Sequence, residues 1–459
     1  MSKIVVLGAG ESGVGAAVLA QNKGFEVFVS DMGGIQPKYK SMLEKYGLRW
    51  EEGKHSEDEI LSADEVVKSP GIPEDAPMIK KIRAKGINII SEIELAGRYT
   101  DAKMICITGS NGKTTTTQMI ASILREAYGR DGYLSTEGNF NNSVGVPITL
   151  WRLRDGMKAA VVESGMSHRG EMAELAAMIR PTVAVITNAQ REHQEFLPSV
   201  EATAEENADS IKALPADGVA VYPADDACAP IWEKASEHCR RRTYATQPGV
   251  SADLTAEVMT LGGTTEVRIH AAEGSAMTRL DIGGHNAAAA AAAAFSAGVK
   301  FDAVIQGLQA FKPVARRGVR HQLRPELLLI DDTYNANPDS MRAGIDVLTS
   351  SRGPLVLIAG DMGEVGTRGA EFHQEIGLYA KEKGVGTLLA CGDLMQNACS
   401  AFGSGARHYA DLDTLCREAA ETVRGMEAGT VLVKASNFMH FDRVVKAVLE
   451  ALSDAAVSE

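Results

Sequence analysis

Residues 104–118 read MICITGSNGKTTTTQ, and their order carries chemistry. The apolar run 104–107 suits a buried strand, and Gly109, Ser110, Asn111 and Gly112 interrupt it. Lys113, Thr114 and Thr115 follow, after which Met119, Ile120, Ile123 and Leu124 recur at helical spacing. Strand, glycine loop, Lys-Thr and helix is how a backbone cradles a triphosphate. Glycines let the amides approach the phosphate oxygens, and the helix N-terminus adds partial positive charge. Lys113 would then reach the β- and γ-phosphates and Thr114 would hold Mg2+. The spacing is GxxGKTT, not GxxxxGK[ST], because Ile107 stands where the first glycine of the longer form would fall. A plain glycine-rich turn would explain the glycines but gives Lys-Thr-Thr no packing reason to be there.

Further groups are spaced for binding. The apolar run 159–162 ends at Glu163, and the run 183–186 ends at Thr187-Asn188 with His193 just beyond. Open α/β sheets place ligands at the C-terminal ends of their strands. Glu163 and His193 could therefore serve a metal ion together with Thr114, or orient its water; for His193 a loop histidine satisfied by its neighbours is the other reading. Near the start, residues 3–7 suit a strand and Gly8-Ala9-Gly10-Glu11-Ser12-Gly13 fits GxGxxG. A helix to about Gly24 and a second strand over 25–30 follow, with Asp31 where an acidic residue meets ribose hydroxyls in dinucleotide folds. That loop points to a nucleotide-containing ligand without specifying NAD. Ser69-Pro70-Gly71 is a rigid turn beside the same crevice, or a plain loop. Asn139, Asn141 and Asn142 lie in a stretch too polar and glycine-rich for a strand, suited to hydrogen-bonding a ligand or a neighbouring backbone.

The elements that must position these groups alternate in type along the chain. With 459 residues it exceeds a single core and suggests about three domains. Residues 216–281 alternate short apolar runs with turns and read as a β-rich lobe. His285 and Asn286 precede eight consecutive alanines, 287–294, best read as a tightly packed helix. Either residue could cap that helix or read an adenine edge. A composition shift at 311–313 marks a boundary, followed by Arg316 and Arg317. Four later strands then run into Asp332 and Asn335, Asp361, Asp393, and Lys434 with Ser436. One such cluster is a turn; four on one edge describe the binding face of a doubly wound domain. The boundaries are thus 1–100, 101–312 and 313–459. With 45% hydrophobic and 23% charged residues the composition is globular, and a formal charge of −13 argues against a nucleic-acid or membrane binder. The six cysteines have no C-x-x-C pair, which suits free thiols in a reducing cytoplasm. The first residues lack a signal-peptide layout and no apolar run reaches membrane-span length, so a cytoplasmic chain is expected.

Taken together, TGSNGKTT, VVESGMSHRGEM, TNAQREHQEF, GGHN, DDTYNANPDSM and AGDMGEVG resemble the Mur ligases, ATP-dependent enzymes that build the peptide stem of the bacterial cell wall. Residues 1 to about 117, with GAGESG, VKSPGIP and SEIELA, are similar to the member that adds D-glutamate. From about Glu137 onward GNFNNSVGVP, DDTYNANPDSM, GDMGEVG, His373 and VLVKAS are similar to the member that adds D-alanyl-D-alanine. The S-D-[ST]-R…F-x-A-L pattern that should accompany this second half is absent, so the chain reads as a recombined or engineered chimera joined at the phosphate loop. Many Mur ligases carry a carbamylated lysine after the histidine loop; residues 204–208, AEENA, hold none.

The resemblance implies α/β architecture in three domains: a Rossmann-like UDP-binding domain, a central ATPase-like domain and a Rossmann-like C-terminal domain. It implies ATP and Mg2+, a UDP-N-acetylmuramoyl-peptide acceptor, D-Ala-D-Ala (or D-Glu) as incoming amine, and a monomer. The acceptor carboxylate would become an acyl phosphate that the amine attacks. By resemblance Gly10, Ser12, Gly13, Asp31, Ser69, Pro70 and Gly71 contact the UDP end, with Asn139, Asn141 and Asn142. Gly109, Ser110, Asn111, Gly112, Lys113, Thr114, Thr115, Asn286, Arg317, Asp332 and Asn335 serve ATP. Asn337, Asp361, Lys434 and Ser436 line the amino-acid side, and Lys113, Glu163 and His193 are catalytic. Two other classes stay open: a nicotinamide dehydrogenase on GxGxxG, which leaves GKTT, Glu163 and His193 without a role, and a folded chimera that binds ATP but ligates weakly or not at all.

Overall fold

The computed structural model describes residues 2–69, 71–261, 264–280, 283–351 and 353–457. Its architecture is three-domain α/β, with one sheet per domain. The first sheet holds β1 (Lys3–Leu7), β2 (Glu26–Asp31), β3 (Arg49–Glu52), β4 (Glu65–Lys68) and β5 (Asn88–Ser91). They run parallel in the order β3-β2-β1-β4-β5. Along β1, Ile4 and Val6 feed one core and Val5 and Leu7 another. A strand covered on both faces reads as the unbroken apolar run IVVL after Lys3. Met1–Ala102, Val146–Gly156 and Ala177–Arg180 form one compact unit, and Lys103–Gly145, Met157–Ala176 and Pro181–Glu459 form a second.

Within the second unit, the central sheet comprises β6 (Lys103–Thr108), β7 (Tyr133–Ser135), β8 (Ala159–Glu163), β9 (Val183–Ile186), β10 (Val219–Pro223), β11 (Arg240–Ala245), β12 (Leu254–Leu261), β13 (Thr264–Ala271) and β14 (Gly274–Leu280). Its order is β14-β13-β12-β11-β10-β9-β6-β8-β7. The β-rich stretch is the far edge of this sheet, where β12, β13 and β14 pair antiparallel. Ala287–Ala294 lie in the helix Gly284–Ser296, each at most 1% exposed. Side chains this small let the helix lie close against the Lys113–Tyr128 helix and the sheet. Neither His285 nor Asn286 caps it: Gly283, at φ 78°, occupies the cap position without a side-chain bond.

The third sheet contains β15 (Val319–Arg324), β16 (Glu326–Asp332), β17 (Leu355–Gly360), β18 (Thr387–Cys391), β19 (Ala406–Tyr409) and β20 (Ala428–Lys434), in the order β15-β16-β20-β17-β18-β19. Only β15 is antiparallel to its neighbour. The turns after β16, β17, β18 and β20 therefore share one edge. Among the described residues no helix is long and apolar enough to cross a membrane, and all six cysteines are free.

Candidate active site

The phosphate loop joins β6 to the Lys113–Tyr128 helix, and its glycines are required by both dihedral and space. Gly109 has φ 123°, and a Cβ there would lie 2.2 Å from Thr187 Oγ1 and 2.9 Å from the Asn188 carbonyl oxygen. Gly112 has φ 84°, and its Cβ would meet Asn286 Oδ1 at 2.3 Å. The segment after β9 braces the loop: Asn111 N–H donates to Asn188 Oδ1 at 2.8 Å, and Thr187 Oγ1 donates to Asn111 O at 2.7 Å. Lys113 Nζ folds back on its own loop, donating to Gly109 O and, at 3.2 Å, to Ser110 O. It also sits 3.4 Å from Glu192 Oε2.

At the end of β8, Glu163 is 2% exposed. Its Oε1 accepts from Thr114 Oγ1 at 3.0 Å and from Asn141 Nδ2 at 2.9 Å, while its Oε2 is buried without a partner. Thr114, Glu163 and Asn141 are thus brought together. His193 is held elsewhere, its Nδ1 2.6 Å from Glu364 Oε2 and its Nε2 4.0 Å from Glu192. The close approach of His193 holds the Glu364 carboxyl below its usual range. Among the described residues, no three His, Cys, Asp or Glu side chains form a metal-binding group.

One cavity of about 1370 Å3 runs from this loop to the third sheet. Ser110–Thr115, Asn141, Asn142, Glu163, His193, Asn286, Arg317, Asp332, Asn335, Asn337 and Lys434 line it. Arg317 stacks 3.9 Å from the Tyr334 ring centroid with its Nε buried and unpartnered. Lys434, 3% exposed, donates to Asp332 Oδ2 at 2.6 Å and to Asn335 O at 2.9 Å. Asn337 caps the Pro338–Thr349 helix through Ser340 N–H, and its Nδ2 donates to Asn111 Oδ1 at 3.2 Å. Asp226, also on the wall, has its carboxyl pushed up by burial.

Asp361 and Ser436 are not on this wall. Asp361 accepts from the backbone N–H groups of Met395 and Leu394, and Ser436 Oγ bridges Gly363 N–H and Ala336 O. Asn139 is exposed, and Asn142 Oδ1 closes its own loop on the N–H groups of Val144 and Gly145. In the first unit, Gly10 starts the Glu11–Asn22 helix and carries Ser12 and Gly13 into its first turn. Asp31 is engaged locally, accepting from Ala9 N–H at 2.6 Å and Gly33 N–H at 2.7 Å. Ser69 donates to Glu92 and Gly71 is exposed; Pro70 lies outside the described residues.

Several residues here carried no sequence signal as single positions. Arg191 and Glu192 sit inside the quoted TNAQREHQEF, and only their partners' distance in sequence hid them. Asn207, fully buried in the stretch that lacks the lysine, accepts from Thr108 Oγ1 at 2.7 Å, with its Nδ2 buried and unpartnered. Glu206 beside it takes the N–H groups of Gly170 and Met172.

Comparison with known proteins bears on this geometry. Residues 107–297 match the Mur ligase middle domain, 316–437 the Mur ligase glutamate ligase domain, and 2–91 the MurD-like N-terminal domain of Mur ligases. The N-terminal region is 69% identical over 127 residues to the UDP-N-acetylmuramoylalanine–D-glutamate ligase of Bacteroides fragilis. That alignment covers 28% of this chain and 29% of the relative, so less than a third of its length is matched. The Escherichia coli UDP-N-acetylmuramoyl-tripeptide–D-alanyl-D-alanine ligase is 34% identical over 355 residues, 76% of this chain and 77% of the relative. A crystal structure of MurF from Acinetobacter baumannii superposes with a TM-score of 0.73 at 25% identity, covering 92% of this chain and 90% of that one. The split between an N-terminal region like one member and a remainder like another fits a chimera. On these matches, the chain belongs to the Mur ligase family.

Proposed function

We propose that the chain is an ATP-dependent ligase that forms a peptide bond on a UDP-N-acetylmuramoyl-peptide through an acyl phosphate, in peptidoglycan precursor synthesis in the cytoplasm. The incoming group on this reading is D-Ala-D-Ala. The observation that carries it is the continuous cavity that joins the Lys113–Thr114 loop and Glu163 to Lys434 and Asn335. A phosphoryl donor and an amine could meet in such a space without a nucleophilic Ser or Cys. The reactive species would be made from the substrates, so that positioning supplies most of the rate.

The residues fit a Mg2+ ion. Glu163 Oε2 is a buried oxygen without a partner, beside the Thr114 hydroxyl that its other oxygen already binds. Mg2+ takes one or two carboxylates and fills its shell with phosphate and water. Thr114 and Glu163 would hold it, and the ion would offset negative charge on the transferring phosphoryl group. The pairing with Glu364 leaves His193 outside that set. Lys113 would leave Glu192 and its loop carbonyls for the β- and γ-phosphates, which draws the two anionic substrates together. Asn286 over Gly112 and Arg317 on Tyr334 would hold the adenosine end. Lys434, its charge balanced by Asp332, would face the amine side.

A second reading, D-glutamate addition to UDP-N-acetylmuramoyl-L-alanine, is favoured by the 69% identity to a D-glutamate-adding enzyme. Phosphate release from ATP separates the two. UDP-MurNAc-tripeptide with D-Ala-D-Ala should turn over, and UDP-MurNAc-L-Ala with D-Glu should not. The opposite pattern would hand specificity to the N-terminal domain. Silence with both pairs while ATP binds would mean that the joined halves no longer serve one substrate.

A further inference from the structure

Residues 190–193, between β9 and the Val200–Asn207 helix, face two directions in strict alternation. Gln190 and Glu192 turn to the phosphate loop: Gln190 N–H donates to Ser110 Oγ at 2.8 Å, Asn111 Nδ2 donates to Gln190 Oε1, and Glu192 approaches Lys113. Arg191 and His193 turn to the C-terminal domain. The backbone turns tightly here, Glu192 N–H donating to Gln190 O at 2.9 Å and His193 lying at φ 48°, and these turns set the two directions.

The Arg191 side is built as a clamp. Its backbone N–H donates to Asp339 Oδ2 at 2.8 Å, and its guanidinium reaches Asp339 Oδ1 at 2.6 Å through Nη2 and at 3.0 Å through Nε. Nη1 donates to Glu375 Oε2 at 2.7 Å and Nη2 to Glu375 Oε1 at 3.1 Å. The guanidinium also lies 5.4 Å from the Phe372 ring centroid. One residue therefore grips the first turn of the Pro338–Thr349 helix and the middle of the Gly369–Glu382 helix. A planar fork that satisfies two carboxylates at once fixes orientation as well as distance. Beside it His193 and Glu364, the second pair across the same gap, both hold left-handed backbone, at φ 48° and 56°.

What the clamp holds is a wall of the cavity. Ser340, Ala343, Gly344 and Val347 of the Pro338–Thr349 helix line it. We propose that residues 190–193 couple occupancy of the phosphate loop to the position of this wall, with Arg191 as the positioning residue. A triphosphate that draws Lys113 away frees Glu192, and the same four residues carry the change to the helix that frames the incoming amine. This rests on the ligase reading for its effect on turnover, but the coupling itself is a property of the fold.

Hydrogen exchange of the full chain, with and without a non-hydrolysable ATP analogue, tests it. In the parent protein the analogue should slow exchange both at 109–113 and across 338–349. In Arg191→Ala protection at 109–113 should persist, with the analogue's Kd within about twofold, while the response of 338–349 is lost. Arg191→Lys should recover part of it, because one ammonium cannot bridge both carboxylates. Arg191→Asp combined with Asp339→Arg should recover more than either change alone. In turnover, Arg191→Ala should raise KM for the amine substrate about tenfold or more. An Arg191→Ala protein whose 338–349 segment still responds to the analogue would overturn the proposal. So would loss of protection spread evenly over both halves of the second unit, which would make Arg191 a residue of general stability. If the parent protein turns over no substrate pair, the ligase reading fails while the exchange comparison still decides the coupling.

Discussion

Replacing Glu163 by Gln should make the protein more stable and less active, and the two effects have one cause. The carboxylate is 2% exposed; Thr114 and Asn141 satisfy Oε1, and Oε2 has no partner. A buried acceptor left unpaired costs about 1–3 kcal/mol, and more when it is charged. Gln keeps the shape and can keep the Oε1 contacts, while its amide group loses a smaller hydrogen-bonding potential than the charge did. Glu163→Gln should therefore raise ligand-free stability by about 1 kcal/mol. Mg2+ with an ATP analogue at a hundredfold excess over Kd should stabilise the parent protein by about 2.7 kcal/mol. The variant should keep the analogue's share of this and lose the share that depends on Mg2+. Phosphate release should fall by about 10²–10³, the loss seen when one group that faces developing charge is removed. Thermal unfolding of both proteins with analogue alone, Mg2+ alone and both together reads all of this. A variant less stable than the parent without ligand, or one with an undiminished Mg2+ increment, would refute the assignment of Oε2 as an ion ligand.

Two further perturbations probe the loop and the third domain. Gly109→Ala places a Cβ 2.9 Å from the Asn188 backbone oxygen at φ 123°, so stability should fall by more than the roughly 1–2 kcal/mol of left-handed strain alone, with nucleotide affinity falling too; denaturant titration and analogue binding check this, and near-parental values would show that the segment after β9 can retreat. His373, fully buried, should tie stability to pH: its Nδ1–H donates to Gly369 O while Nε2 accepts from Met362 N–H, and burial lowers its pKa from 6.5. Because the unfolded chain takes up the proton first, this contribution is present above pH 6.5 and is lost as pH falls below it, by at most about 1.4 kcal/mol per unit; denaturation midpoints between pH 7.5 and 5, with His373→Asn as the flat reference, should show the slope.

What the sequence revealed follows from how locally each feature is encoded. The phosphate loop was legible because an apolar run, two spaced glycines and Lys-Thr-Thr sit within fifteen residues. Glu163 was legible because a strand end needs only the strand. β15 was not, since VRHQLR is half-buried and polar and pairs as an antiparallel edge strand. The clamp was not, since Arg191 finds Asp339 148 residues away and Glu375 184 away. Asn286 was expected either to cap its helix or to meet the nucleotide, and the left-handed Gly283 removed the first choice. Asp361 matched a binding-face pattern, yet its carboxylate is taken by the backbone of residues 394 and 395. Asp at a strand end serves a turn as readily as a ligand, and only the third dimension separates the two.

The candidate site is concentrated in one part of the chain, so that a chimera could keep it. Every residue that lines the cavity belongs to the second compact unit, including Lys113, Thr114, Glu163, Arg317 and Lys434. The loop's braces, Asn188 and Gln190, and the clamp through Arg191 lie in the same unit. Exchange of the first domain leaves each of these hydrogen bonds with both partners. What changes is the first domain, where Asp31 and Ser69 are tied to Ala9, Gly33 and Glu92, and which on the proposed function is the surface offered to the UDP-linked acceptor. On the proposed function, phosphoryl transfer and acceptor choice are then encoded in separable pieces of chain. A mismatch between them should appear as a raised KM for the acceptor with ATP binding intact, not as loss of nucleotide affinity.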